Sequence, residues 1–129
     1  MSIILDKPLT ESLLKKAEES ARLRHNYDLR NSASDTSQRM LNALQPGTKV
    51  PIHRHTDTAE TVICVCGRLE EIFYEATNAE HTEFKETQRI LLSPAESNYG
   101  MQIPAGVWHS INVIEPSVIF EAKDGAYKG

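Results

Sequence analysis

From Gln38 onward the chain is a succession of short runs rich in Val, Ile, Leu, Phe and Tyr, each cut off by Gly, Pro, Asn or Asp. Strands are expected near 38–44, 49–55, 60–66, 68–75, 86–92, 99–103, 107–114 and 117–123. This spacing suggests a sandwich or a barrel, and the polar interval "EATNAEHTEFKET" reads as the tip of a hairpin. Ahead of the strands, "DKPLTESLLKKAEESARLR" places Leu9, Leu13, Ala17 and Ala21 on one face, with Leu14 beside them and charges opposite, the pattern of an amphipathic helix. Asp6 or Thr10 can cap its start, and Pro8 suits its first turn. The following "HNYDLRNSASD" is polar enough to read as a loop.

At 129 residues the chain has the length of one domain, divided into an N-terminal helix and loop over 1–37 and a β sandwich or barrel over 38–123. Net charge is −4, with Lys and Arg scattered, so neither nucleic acid nor an anionic membrane is an expected partner. The N-terminus lacks the basic and small-residue features of a signal peptide. No apolar run approaches the roughly 20 residues that a membrane span needs, and a cytoplasmic location is the default expectation. Cys64 and Cys66 lie two apart on one expected strand and so on one face of it, about 6.5 Å from each other. A disulfide needs Cβ atoms about 3.5–4.5 Å apart, so they read as small buried residues rather than a bridge.

The chemistry concentrates in "KVPIHRHTDTAETVICVCGR". Strand alternation sends His53 and His55 to the same face, and an antiparallel return would bring Glu60 back beside them. Two imidazoles and a carboxylate are ligands for a divalent transition metal. His109, in "MQIPAGVWHSINV", is the fourth candidate, and sequence position alone does not place it beside the others.

These residues resemble a known family. "GTKVPIHRHTDTAETVICVCG" fills every fixed position of the first cupin motif through Gly47, His53, His55, Glu60 and Gly67. Pro104, Gly106 and His109 fit the second motif, in which Asn98 and Val113 stand where a Gly and an Asn are usual. Within the cupins the chain is similar to the WbuC-type cupin fold metalloproteins, on the strength of "QRMLNALQPGTKVPIHRH", "IPAGVWHSI" and the closing "VIFEAKDGAYKG". Relatives commonly have a Gly-Pro-Tyr near that end, often with a further tail, where this chain has Gly125, Ala126 and Tyr127. The resemblance implies an all-β fold, a small jelly-roll β-barrel with an N-terminal α-helix. It also implies a metal inside, held by His53, His55, Glu60 and His109, and a bacterial setting among surface-polysaccharide (O-antigen) genes.

Three imidazoles and one carboxylate suit Zn, Fe, Mn or Ni, and four protein ligands on a six-coordinate ion leave two positions open. Such an ion would act as a Lewis acid on a sugar-like or small carboxylate ligand, for isomerisation, epimerisation or lyase chemistry, and as Fe(II) it would open dioxygen chemistry. The alternative is a non-catalytic sugar-binding or regulatory module. Glu121, if it faces inward in "VIFEAK", is either the partner of a buried cation or a catalytic acid/base, and that choice separates enzyme from binder. Gln38, Arg39 and Asn42 are candidates to line the interior, whereas His25 and His81 read as solvated loop residues and Trp108 as packing. The expected ligand is a sugar or nucleotide sugar, and a homodimer is the default assembly.

Overall fold

The computed structural model describes residues 2–125. Helix α1 spans Lys7–Glu19, with Asp6 as its cap: the Asp6 carboxylate accepts from Leu9 N at 3.1 Å, satisfying one of the amides that a first turn leaves unpaired. Thr10, Leu13 and Ala17 are its buried stripe. Ala21, assigned to the same face, lies past the helix end and is exposed. Six strands follow: β1 Arg24–Asp28, β2 Ser37–Leu44, β3 Glu60–Ala76, β4 Phe84–Leu92, β5 Gly100–Ile103 and β6 Trp108–Asp124. All pairings are antiparallel, in the order β1-β2-β6-β3-β4, with β5 added to the first part of β3. The sheet is open, with β1, β4 and the short β5 as edges, and the one N-terminal helix packs on its outer face.

Two expected strand pairs are single long strands. The runs at 60–66 and 68–75 merge into β3, and those at 107–114 and 117–123 into β6. They pair with each other from Glu60↔Lys123 to Tyr74↔Trp108, with register slips between Cys64 and Leu69. Gly67 sits in that slipped stretch at φ +98°, and a Cβ there would meet the Pro116 carbonyl oxygen and the Ser117 side chain. The slips bend both strands, and the two halves close on a core of Leu44, Val62, Cys64, Ile103 and Ile119 against Leu69, Leu92 and Val113. On the outer face, Leu13 and Ala17 of α1 pack on Leu41, Ala43 and Val118.

Three readings of the sequence need correction. The "HNYDLRNSASD" segment begins with a strand, because β1 pairs with β2 from Arg24↔Leu44 to Asp28↔Met40 and lays Tyr27 against the helix-side core. Its polar residues suit an edge strand, whose outer side faces solvent. The run 49–55 is not a strand: Pro51 supplies no amide donor, and only His53 pairs, as an isolated bridge to His109. Cys64 and Cys66 do not share a face, since the slip between them turns Cys64 into the inner core and Cys66 toward the helix-side cluster. Both thiols are free.

Candidate metal centre

The chain between β2 and β3 carries His53 and His55 without forming a strand, so main-chain contacts from the β5–β6 corner hold it in place. His53 N donates to His109 O at 3.0 Å and His109 N to His53 O at 2.8 Å, while Gly106 N donates to His55 O at 2.7 Å. These bonds set the three imidazoles around one point. Ring centroids are 4.3 Å apart for His53 and His109, 5.3 Å for His53 and His55, and 5.7 Å for His55 and His109. Their ligand nitrogens all lie within 4.8 Å of one another, and among the described residues this is the one such group of His, Cys, Asp and Glu.

Ring orientation shows whether the trio fits an ion. Nδ1 of His53 lies 2.9 Å from Pro51 O, and Nδ1 of His109 lies 2.9 Å from Val107 O. A carbonyl oxygen only accepts, so each Nδ1 carries the proton and each Nε2 keeps its lone pair. Fixing the tautomer through the far ring nitrogen is how metal-binding histidines are oriented. Burial, above all, lowers the pKa of His109, which is 2% exposed, and so favours the neutral ring a metal requires. The His53, His55 and His109 donors therefore fit a divalent transition metal.

Glu60 opens β3 and is 4% exposed. Its Oε2 lies 3.0 Å from His55 Nε2, beside the trio rather than within it. Burial raises the pKa of Glu60, but hydrogen bonds from His55 and Glu121 outweigh it and hold the carboxyl below its ordinary value. Glu121 responds in the opposite direction: burial and then the neighbouring charge of Glu60 push it up to about 8. The two acids thus share a proton that resides on Glu121, and Asn42 Nδ2 donates to Glu121 Oε1 at 3.2 Å. Glu121 faces inward on β6, partnered by Glu60 and Asn42 rather than by a buried Lys or Arg.

All five residues line one cavity of about 660 Å³. Gln38 and Asn42 line it too, whereas Arg39 turns away and pairs with Asp35 at 3.2 Å. Trp108 packs on Phe84 with centroids 5.0 Å apart, and the Arg54 guanidinium stacks 4.5 Å above its ring. His81 is exposed, with its ring 5.5 Å from Trp108, and His25 is half-buried on β1 rather than in a loop. The residue missed in the sequence is Glu71, which is 1% exposed on β3 and lines the same cavity. Its signal lay in the alternation Leu69-x-Glu71-x-Phe73, which puts a carboxylate at an inward position. Neither Glu71 oxygen has a hydrogen-bond partner, and burial followed by the charges of Glu121 and Glu60 raises its pKa well above the ordinary value. The closing "VIFEAKDGAYKG" runs past Gly125, so Ala126 and Tyr127 lie outside the described residues.

Comparison with solved structures places this geometry in a family of folds. The capsular polysaccharide assembling protein CapF from Staphylococcus aureus matches over 84% of this chain at 19% identity and TM-score 0.60. The chain spans only 30% of CapF's length. KdgF from Halomonas sp. matches at 14% identity and TM-score 0.60, over 81% of this chain and 82% of its own. The cupin domain of Schizosaccharomyces pombe Cnp3 matches at 12% identity and TM-score 0.58, over 79% of this chain and 64% of its own. These likenesses establish the cupin fold. No helix of the described residues is long and apolar enough to cross a membrane. No curated protein matches the sequence. One family model does, over residues 5–86: the chain belongs to the family described as Domain of unknown function (DUF6016), and its fold is a cupin.

Proposed function

We propose that this chain is a metal-binding cupin of the WbuC type that takes a sugar-like or small carboxylate ligand in bacterial surface-polysaccharide metabolism, in the cytoplasm and as a homodimer. The observation that carries the metal reading is the pair of Nδ1–carbonyl bonds that turn His53 and His109 lone pairs toward His55. In this reading Glu60 is the fourth ligand, and the hydrogen bond from Glu121 orients it. The ion, whether Zn, Fe, Mn or Ni, supplies Lewis acidity toward ligand oxygens. The similarity to CapF, a capsular polysaccharide assembling protein, supports the polysaccharide setting.

Catalysis is favoured over simple binding by Glu121. It holds a proton near neutral pH inside the cavity, beside Glu60 and within a hydrogen bond of Asn42, where a binder needs no second ionisable group. Its role is to donate that proton to a bound ligand oxygen and to recover it. The test is elemental analysis of untagged protein, with close to one equivalent of a first-row transition metal expected, removable by a chelator. Absence of metal, and no uptake of Zn(II), Mn(II), Fe(II) or Ni(II), overturns the reading.

A further inference from the structure

The wall of the cavity away from the imidazoles has a chemical bias. Four of its buried oxygens have no hydrogen-bond partner: Gln38 Oε1, Asn42 Oδ1 and both carboxyl oxygens of Glu71. Leaving such atoms unpaired is costly, so their retention calls for a partner that arrives with a ligand. The orientation of Asn42 is fixed, because its Nδ2 donates to Glu121 Oε1. Its Oδ1 is therefore the free end. Gln38 Oε1 and Asn42 Oδ1 accept hydrogen bonds, and the buried Glu71 carboxyl when protonated both accepts and donates, so the ligand that satisfies them must bring groups that do both, as hydroxyls do.

A hard cation is the other occupant that seeks oxygens, and the geometry disfavours it. Glu60 and Glu121 are hydrogen-bonded, but with Glu71 they do not form a group of three whose oxygens all lie within 4.8 Å of one another, as the three imidazole nitrogens do. The unpaired groups sit on two strands, Gln38 and Asn42 on β2 and Glu71 on β3, an arrangement that several hydroxyl groups along one molecule can meet. Met40 and Ile111 line the same cavity and offer apolar surface to the C–H faces of such a molecule.

We infer that Gln38, Asn42 and Glu71 form a hydroxyl-reading wall, making the ligand class a polyhydroxylated molecule bound through several adjacent hydroxyls, with Glu71 as the specificity-determining residue. This rests on reading the cavity as a small-ligand site, but not on metal occupancy.

The probes are gluconate and hexanoate, which share a carboxylate and differ in hydroxyls, titrated calorimetrically into Zn(II)-loaded and chelator-treated protein. A site built to pair hydroxyls rejects the analogue lacking them strongly, so gluconate should bind at least about 100-fold more tightly than hexanoate. Glu71→Leu and, independently, Gln38→Leu should each weaken gluconate about tenfold or more and leave hexanoate within about twofold, in proteins whose folding is checked by circular dichroism. Glu71→Gln, which keeps the shape, covers the case in which Glu71→Leu does not fold, and should lose less than Gln38→Leu. Gluconate preference that persists in chelator-treated protein upholds the wall even where metal uptake fails. Failure of gluconate to bind at millimolar concentration, equal affinity for the two probes, or unchanged gluconate affinity in the folded variants overturns it.

Discussion

Replacing Glu71 by leucine should make this protein more stable, and the size of the gain follows from the burial of the carboxyl. Glu71 is 1% exposed and both its oxygens lack partners, so the folded chain carries a desolvation cost of about 1–3 kcal/mol that leucine, of similar volume, removes. With an unfolding entropy of about 2.1 cal/mol/K per residue over 129 residues, that corresponds to a rise in Tm of about 4–11 °C. The gain has a pH signature. Burial raises the folded pKa of Glu71 above its unfolded value of about 4.3, so the folded chain holds this proton longer than the unfolded chain does. The carboxyl's stability contribution is therefore fullest below about pH 4.3 and is lost as pH climbs through the raised value. Denaturant titrations of wild type, Glu71→Leu and Glu71→Gln at pH 5 and pH 8 should show the leucine gain larger at pH 8. The glutamine variant should lose the share of the pH dependence that Glu71 carries while gaining less, since an unpaired amide stays buried. A leucine variant equal to or weaker than wild type at pH 8 refutes the reasoning, because the carboxyl would then be fully hydrogen-bonded in the ligand-free protein.

Three further outcomes follow from the site and the bend. His109→Ala should lower metal affinity by at least about 100-fold, more than Glu60→Gln, whose amide oxygen can still coordinate; competition with a metal-sensitive dye ranks the two. Chelation should leave the far-ultraviolet circular dichroism spectrum intact and lower only the Tm, because both apolar clusters are built without the imidazoles. Gly67→Ala should cost about 2 kcal/mol or more in urea denaturation, given the φ of +98° and the collision with Pro116 and Ser117.

Much of this architecture was legible because it is local. The stripe of Leu9, Leu13 and Ala17 and the cap at Asp6 define α1, and alternating apolar runs define β2, β4 and β5 close to their observed bounds. The His53, His55 and Glu60 spacing, with His109 in a second motif, pointed to the imidazole trio, and the inward face of "VIFEAK" pointed to Glu121. What escaped depends on partners distant in sequence. β1 is a strand because β2 offers it an edge, not because "RHNYD" favours one. His53 and His55 share a site through main-chain bonds to His109 and Gly106, where alternation along a strand was the expected cause. Glu71 hid beside Glu70, which turns outward to Arg89 at 3.1 Å and makes the pair look like ordinary surface charge.

The bent pairing of β3 with β6 ties the two halves of the molecule into one cooperative unit. Each strand runs through both halves, and their pairing extends from Glu60↔Lys123 to Tyr74↔Trp108 with only the slips at the bend. Opening either half strips partners from the other. The chain therefore has no half to shed while the rest persists, and local unfolding is expected at the edges β1, β4 and β5 and in the turns. The cavity walls on β2, β3 and β6 therefore open only with the whole sheet, whereas β1 and the chain from Val50 to Thr58, which also line it, can part from it alone.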